Sequence, residues 1–137
     1  GLVPFKWMAL ESIRDSLFTE KSDVWSFGIL LWEIFSLGAT PYPGMYFNDV
    51  HQYLLQGKRM DPPIQCPEDI NDVMSMCCKE NPEDRPNFHS LKDLLYEILD
   101  CKEIPQTSAY NKDIVNVPLK SNVIASEEDV SENELFL

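Results

Sequence analysis

A mainly α domain followed by a disordered acidic tail is predicted by three features of this 137-residue sequence. Four segments repeat apolar residues at helical spacing, clusters of Pro and Gly separate them, and the last stretch has no period at all. Apolar residues make up 44% and aromatic residues 11%, enough for one packed core. The 11 Lys plus Arg against 23 Asp plus Glu give a formal charge of -12, which repels nucleic acid and anionic membrane surfaces.

Residues 22–37, SDVWSFGILLWEIFSL, start with Ser and Asp, which favour a helix N-terminus, and stop before Gly38. Apolar residues on nearly every face place this helix in the middle of the domain, with Trp25 and Trp32 in the core and Gly28 permitting close packing. Gly38 to Met45, GATPYPGM, is turn chemistry. Phe47, Val50 and Leu54 then mark a short amphipathic helix over 48–56, closed by Gly57. After Pro62 and Pro63, Pro67, Glu68 and Asp69 supply a first turn suited to the positive end of a helix dipole, and Ile70, Val73, Met74 and Cys77 form one apolar face. Phe88, Leu91, Leu95 and Ile98 mark a last helix to about Asp100. Residues 106–137 carry two basic and six acidic side chains and read as a solvated tail, so the expected division is a domain over 1–104 and a flexible tail over 105–137.

Cys66, Cys77, Cys78 and Cys101 lack the spacing of a zinc site, and neighbouring cysteines rarely pair, so reduced thiols are expected. The longest apolar stretch, Val24 to Leu37, falls short of the roughly 20 residues that a membrane helix needs. His51 and His89 each sit on a predicted helix and are expected to face solvent. The opening at Gly1, inside a loop-like segment, points to a piece of something larger.

Pro4-Phe5-Lys6-Trp7-Met8-Ala9-Leu10-Glu11-Ser12, Ser22-Asp23-Val24-Trp25-Ser26-Phe27-Gly28, Pro41-Tyr42-Pro43-Gly44 and Arg85-Pro86-Asn87-Phe88 occur in that order. Together they resemble the C-terminal lobe of a protein tyrosine kinase, over about residues 1–101. FSLGATPYPGM (35–45) is similar to the platelet-derived and vascular endothelial growth factor receptor class. WMALES (7–12) and YLLQG (53–57) are similar to the hepatocyte growth factor receptor group. The resemblance implies a receptor whose cytoplasmic part transfers the γ-phosphate of ATP to protein tyrosine, with Mg as the metal. It implies that Val3, Pro4, Lys6 and Trp7 belong to the platform on which the peptide substrate lies. Taken alone, Pro4 to Trp7 is an ordinary proline turn closed by a core Trp.

The resemblance also implies an ion pair between Glu11 and Arg85, and a carboxylate at Asp23 that accepts hydrogen bonds from the catalytic loop. Taken singly, Glu11 reads as a solvated acid at a helix end, Arg85 as a surface base beside Glu83 and Asp84, and Asp23 as a helix cap. Two positions depart from the pattern. Leu10 stands where the family has Pro in Ala-Pro-Glu, and Cys78 replaces the Trp of a Cys-Trp pair, which leaves volume to be filled.

Phosphoryl transfer needs a Gly-rich loop and lysine over the nucleotide, a catalytic-loop Asp and Asn, and a DFG aspartate on Mg²⁺. None of these motifs occurs in the sequence, so no catalytic residue, no metal ligand and no ATP or Mg contact is assigned to it. A rival expectation is a non-catalytic pseudokinase remnant or interaction module. In the tail, Tyr110 is a candidate phosphosite for SH2-type adaptors, set against an unmodified surface tyrosine. The terminal Leu135-Phe136-Leu137 would suit a PDZ sheet edge.

Overall fold

A run with apolar residues on most of its faces can only be stable with neighbours packed around it, and residue burial shows that arrangement here. The computed structural model describes residues 3–101. They form five α-helices in the order α1 (Leu10–Asp15), α2 (Glu20–Phe35), α3 (Phe47–Leu55), α4 (Glu68–Cys77) and α5 (Phe88–Cys101). Short 3₁₀ turns lie at Phe5–Trp7 and Pro82–Asp84. Among the described residues there is no β-strand, and no helix is long and apolar enough to cross a membrane. The tail, Tyr110 and the terminal Leu135-Phe136-Leu137 lie outside the described residues.

α2 contributes to two cores. Trp25 and Ile29 pack with Ala9, Leu10, Tyr42, Val50 and Leu54 on one side. Val24 and Leu31 pack with Ile70, Val73, Met74, Cys77 and Leu91 on the other. Leu95 joins this second cluster only partly buried, as does Trp32, whose indole N–H donates to the Asp61 carbonyl at 2.9 Å. The enclosure of α2 is incomplete, since Leu30 and Ile34 are exposed on a face that no described element covers.

Both ends of α2 lie two residues earlier than the sequence expectation of 22–37. The N-cap is Thr19, whose side chain accepts from the Ser22 backbone N–H while the Ser22 hydroxyl oxygen accepts from the Thr19 N–H at 2.6 Å. This reciprocal pair satisfies two orphan donors, so the helix starts at Glu20 and Asp23 lies within its first turn instead of capping it. At the other end Leu37 (φ 58°) and Gly38 (φ 85°) take left-handed backbone, and the Gly38 N–H returns to the Glu33 carbonyl at 2.8 Å.

The helix α1 was not expected from sequence. It is six residues long, starts from Ala9 without a side-chain cap, and ends at Ser16 in the left-handed region (φ 55°). His51 also departs from expectation. It is half-buried, close to Phe47, and its Nε2 is shielded from solvent without a hydrogen-bond partner in the described structure. His89 is exposed, 3.4 Å from Asp93 one turn on. Cys77, Cys78 and Cys101 are free thiols.

Gly28 is the point of closest approach between α2 and α4. A Cβ there would lie 2.7 Å from the Cys77 Cβ and 3.0 Å from the Cys78 Sγ. The Cys77 Cβ is fixed by its own helix and cannot rotate away. Gly28→Ala should therefore destabilise the domain by about 1–3 kcal/mol through overpacking, outweighing the roughly 1 kcal/mol that Ala gains in helix propensity. Urea denaturation checks this, and an unchanged or higher midpoint would contradict it.

Candidate functional site

Arg85 follows the 3₁₀ turn Pro82–Asp84, which is held by the Asn81 side chain accepting from the Glu83 N–H. This turn aims the guanidinium inward, where Arg85 is 2% exposed. A buried cation is tolerable only if its donors are met. Nη1 and Nη2 donate to the two carboxylate oxygens of Glu11 at 2.6 and 2.9 Å. Nη1 also donates to the Lys21 carbonyl, Nη2 to the Glu80 carbonyl and Nε to the Lys79 carbonyl, at 2.9, 3.2 and 2.8 Å. All five N–H groups of the guanidinium are thereby used. In return the Lys21 ammonium donates to the Arg85 carbonyl. Burial pushes the Glu11 carboxyl up, but the Arg85 hydrogen bonds, a backbone hydrogen bond and the nearby positive charges outweigh it and hold the group below the usual glutamate value.

Trp25 extends this cluster. Its ring centroid lies 5.0 Å from the Arg85 Cζ and 4.8 Å from the Arg59 Cζ. Arg59 in turn donates from Nε to the Cys78 carbonyl at 2.8 Å. The Trp25 indole N–H is buried without a hydrogen-bond partner. The contacts of this ring are thus apolar packing and two cations over its π-face.

The Val3 to Trp7 segment sits against α2 and the proline-rich turn. Val3 and Pro4 are exposed, whereas Lys6 and Trp7 are half-buried. The Lys6 ammonium donates to the Tyr42 carbonyl at 3.1 Å, and the Trp7 indole N–H donates to the Glu33 carboxylate. The Trp7 carbonyl accepts from the Ser26 hydroxyl at 2.7 Å, and Phe5 meets Phe47 edge to face at 5.6 Å. Tyr42 is itself locked, with left-handed backbone (φ 45°), a ring 2% exposed and its N–H on the Met60 sulfur. Burial raises its phenol far above the ordinary tyrosine value, so the ring stays neutral.

The structure thus brings Glu11 and Arg85 together and ties Lys6 and Trp7 to the central helix and the Pro41–Tyr42 turn. It does not bring Asp23 to them. Asp23 is exposed in the first turn of α2, where its charge suits the helix dipole. Among the described residues no group of three or more His, Cys, Asp or Glu side chains could hold a metal ion.

A family model described as protein tyrosine and serine/threonine kinase matches residues 1–95, which contain both the Glu11–Arg85 pair and the 3–7 segment. The chain belongs to the protein tyrosine and serine/threonine kinase family. It is 50% identical over 95 residues to the human proto-oncogene tyrosine-protein kinase ROS, covering 69% of this chain and 4% of that protein. It is 43% identical over 132 residues to the mouse leukocyte tyrosine kinase receptor, covering 95% and 14%. With platelet-derived growth factor receptor alpha of Takifugu rubripes it shares 51% over 98 residues, covering 71% and 9%. The chain spans 4% to 14% of the length of these three relatives, two of which are named as receptors, in line with the resemblance to a receptor-type kinase C-lobe.

Sequence reasoning missed Glu33 and Arg59 as kinase-lobe contacts. Glu33 carried a signal, because a single acid within the apolar run of α2 asks for a donor, and Trp7 supplies it. Arg59 carried none, since a base just after a helix-ending glycine is ordinary surface composition.

Glu11→Gln and Arg85→Met should each cost about 3–5 kcal/mol because each strands a buried charge, while the double variant should cost much less than their sum. Denaturant unfolding of all four proteins checks this, and additive costs would contradict it. The depressed Glu11 carboxyl also fixes a pH dependence. The unfolded state takes up this proton first as pH falls, so the contribution is complete above the ordinary glutamate range and is lost as pH drops through the lower folded value. Glu11→Gln should flatten that part of the acid limb, and an unchanged limb in urea titrations between neutral and acid pH would contradict the assignment.

Proposed function

We propose that this chain is the helical scaffold and substrate platform of the C-lobe of a receptor-type tyrosine kinase, which transfers the γ-phosphate of ATP to protein tyrosine on the cytoplasmic side of the plasma membrane. The observation that carries the reading is the fixation of residues 3–7. Their exposed start, at Val3 and Pro4, is held by Lys6 on the Tyr42 carbonyl and Trp7 on the Glu33 carboxylate. A peptide-binding surface has to be preorganised in this way, because binding otherwise loses the entropy of ordering the loop. Pro4 adds to the rigidity by fixing its own φ.

In this reading the nucleotide and its metal are held by residues outside this chain, and the work of the chain is positional. The Glu11–Arg85 pair fixes α1, directly after the platform, against the 79–85 segment, and Asp23 presents a carboxylate to a loop supplied by another part of the protein. Tyr110 would serve SH2-type adaptors.

The full-length protein containing this segment, supplied with Mg-ATP, should phosphorylate tyrosine peptides and not serine peptides, whereas the 137-residue chain alone should transfer nothing. Trp7→Ala should raise the KM for peptide several-fold and leave the KM for ATP nearly unchanged. Absence of transfer by the full-length protein would favour the non-catalytic alternative. An equal effect of Trp7→Ala on both KM values would overturn the platform role.

A further inference from the structure

We propose that the cavity beside Cys78 is a binding site for a neutral, flat aromatic heterocycle of about the size of indole that carries one N–H donor. This goes beyond the kinase reading and does not depend on it.

A cavity of about 350 Å³ lies between α2, the Pro41–Tyr42 turn, the 57–62 segment and α4. That volume is near the lower end of the roughly 300–1,000 Å³ of small-molecule sites, which limits the occupant to one or two fused rings. Ile29, Trp32, Met60, Met74 and Cys78 line it. Aromatic faces and polarizable thioethers favour a π-system over an aliphatic chain. Gly28 and Gly57 border it as well and project no side chain into it. Cys78 lines the space with a side chain far smaller than an aromatic ring.

The polar groups around the space select the charge and the donor. Arg59 Nε and Nη1 already donate to the Cys78 and Lys58 carbonyls, and the Trp32 N–H donates to the Asp61 carbonyl. Lys79 and Glu80 place one charge of each sign on the lining, which favours no ion, and the Asn71 and Glu80 oxygens suit a ligand N–H. Burial pushes the Cys78 thiol up to about 12, so it stays protonated and acts as apolar lining, not as a nucleophile.

The test is calorimetric titration of the full chain with indole, alongside indene, which has the same shape and no N–H. Indole should bind saturably at one site per chain, indene severalfold more weakly. Cys78→Trp should weaken indole binding at least tenfold, while Cys78→Ala should retain it. If circular dichroism shows that Cys78→Trp is unfolded, Ser75→Trp, which fills the same cavity from its rim, takes its place with the same expectation. No saturable indole binding by the unmodified chain, or equal binding by a folded cavity-filling variant, would overturn the proposal.

Discussion

Five hydrogen bonds from one buried guanidinium set the arrangement of this lobe. Arg85 reaches Glu11, Lys21, Lys79 and Glu80 at once, and these belong to α1, the first turn of α2 and the segment that follows α4. No hydrophobic contact could do this with the same specificity, because apolar packing is non-directional whereas a planar fork fixes angles as well as distance. The net folding energy of such a pair is small, since desolvation offsets most of the attraction. Its consequence is geometric: α1 has six residues and no side-chain cap, so its position depends on tertiary contacts.

From that point the constraint passes through Trp25 to the rest of the domain. The ring packs in the core with Ala9 and Leu10, which follow the 3–7 segment, and with Val50 and Leu54 of α3. It also lies under Arg59, which is bonded to the end of α4 through the Cys78 carbonyl. The exposed segment at Val3 and Pro4 thus rests on a short relay: residues 5–8, α1, ion pair, indole, α4. Ala9, Leu10, Glu11, Trp25 and Arg85 in this relay are buried, so displacement of one is felt by its neighbours in a close-packed interior.

The four longer helices were legible because their apolar residues repeat at helical spacing and glycines or prolines bracket them, as with Ile70, Val73, Met74 and Cys77 on α4. The start of α2 was misplaced because Ser22 looks like a cap by composition, while the actual cap, Thr19, is recognised only by its reciprocal bond with Ser22. α1 gave no signal, as six residues hold less than two turns of periodicity. His51 was misjudged because its neighbour one turn earlier on α3, Phe47, is an aromatic ring 6.3 Å away, and the lone-histidine reading took no account of that i, i+4 pair. Among the site residues, the Glu11–Arg85 contact, 74 positions apart, came from motif resemblance and could not have come from spacing. The ties of Trp7 to Glu33 and Lys6 to Tyr42 are likewise long-range and needed coordinates.

The Arg85 guanidinium holds the end of the domain formed by residues 3–13 in place, beyond merely adding stability. Amide hydrogen exchange on Arg85→Lys, which keeps the charge but loses the five-donor fork, tests this most directly. Protection should fall most at Ser12 and Ile13, whose N–H groups bond the Ala9 carbonyl, and at Trp7 and Met8, bonded to Pro4 and Phe5, while α5 keeps its protection. A uniform loss across all helices, or unchanged protection over residues 5–13, would contradict it.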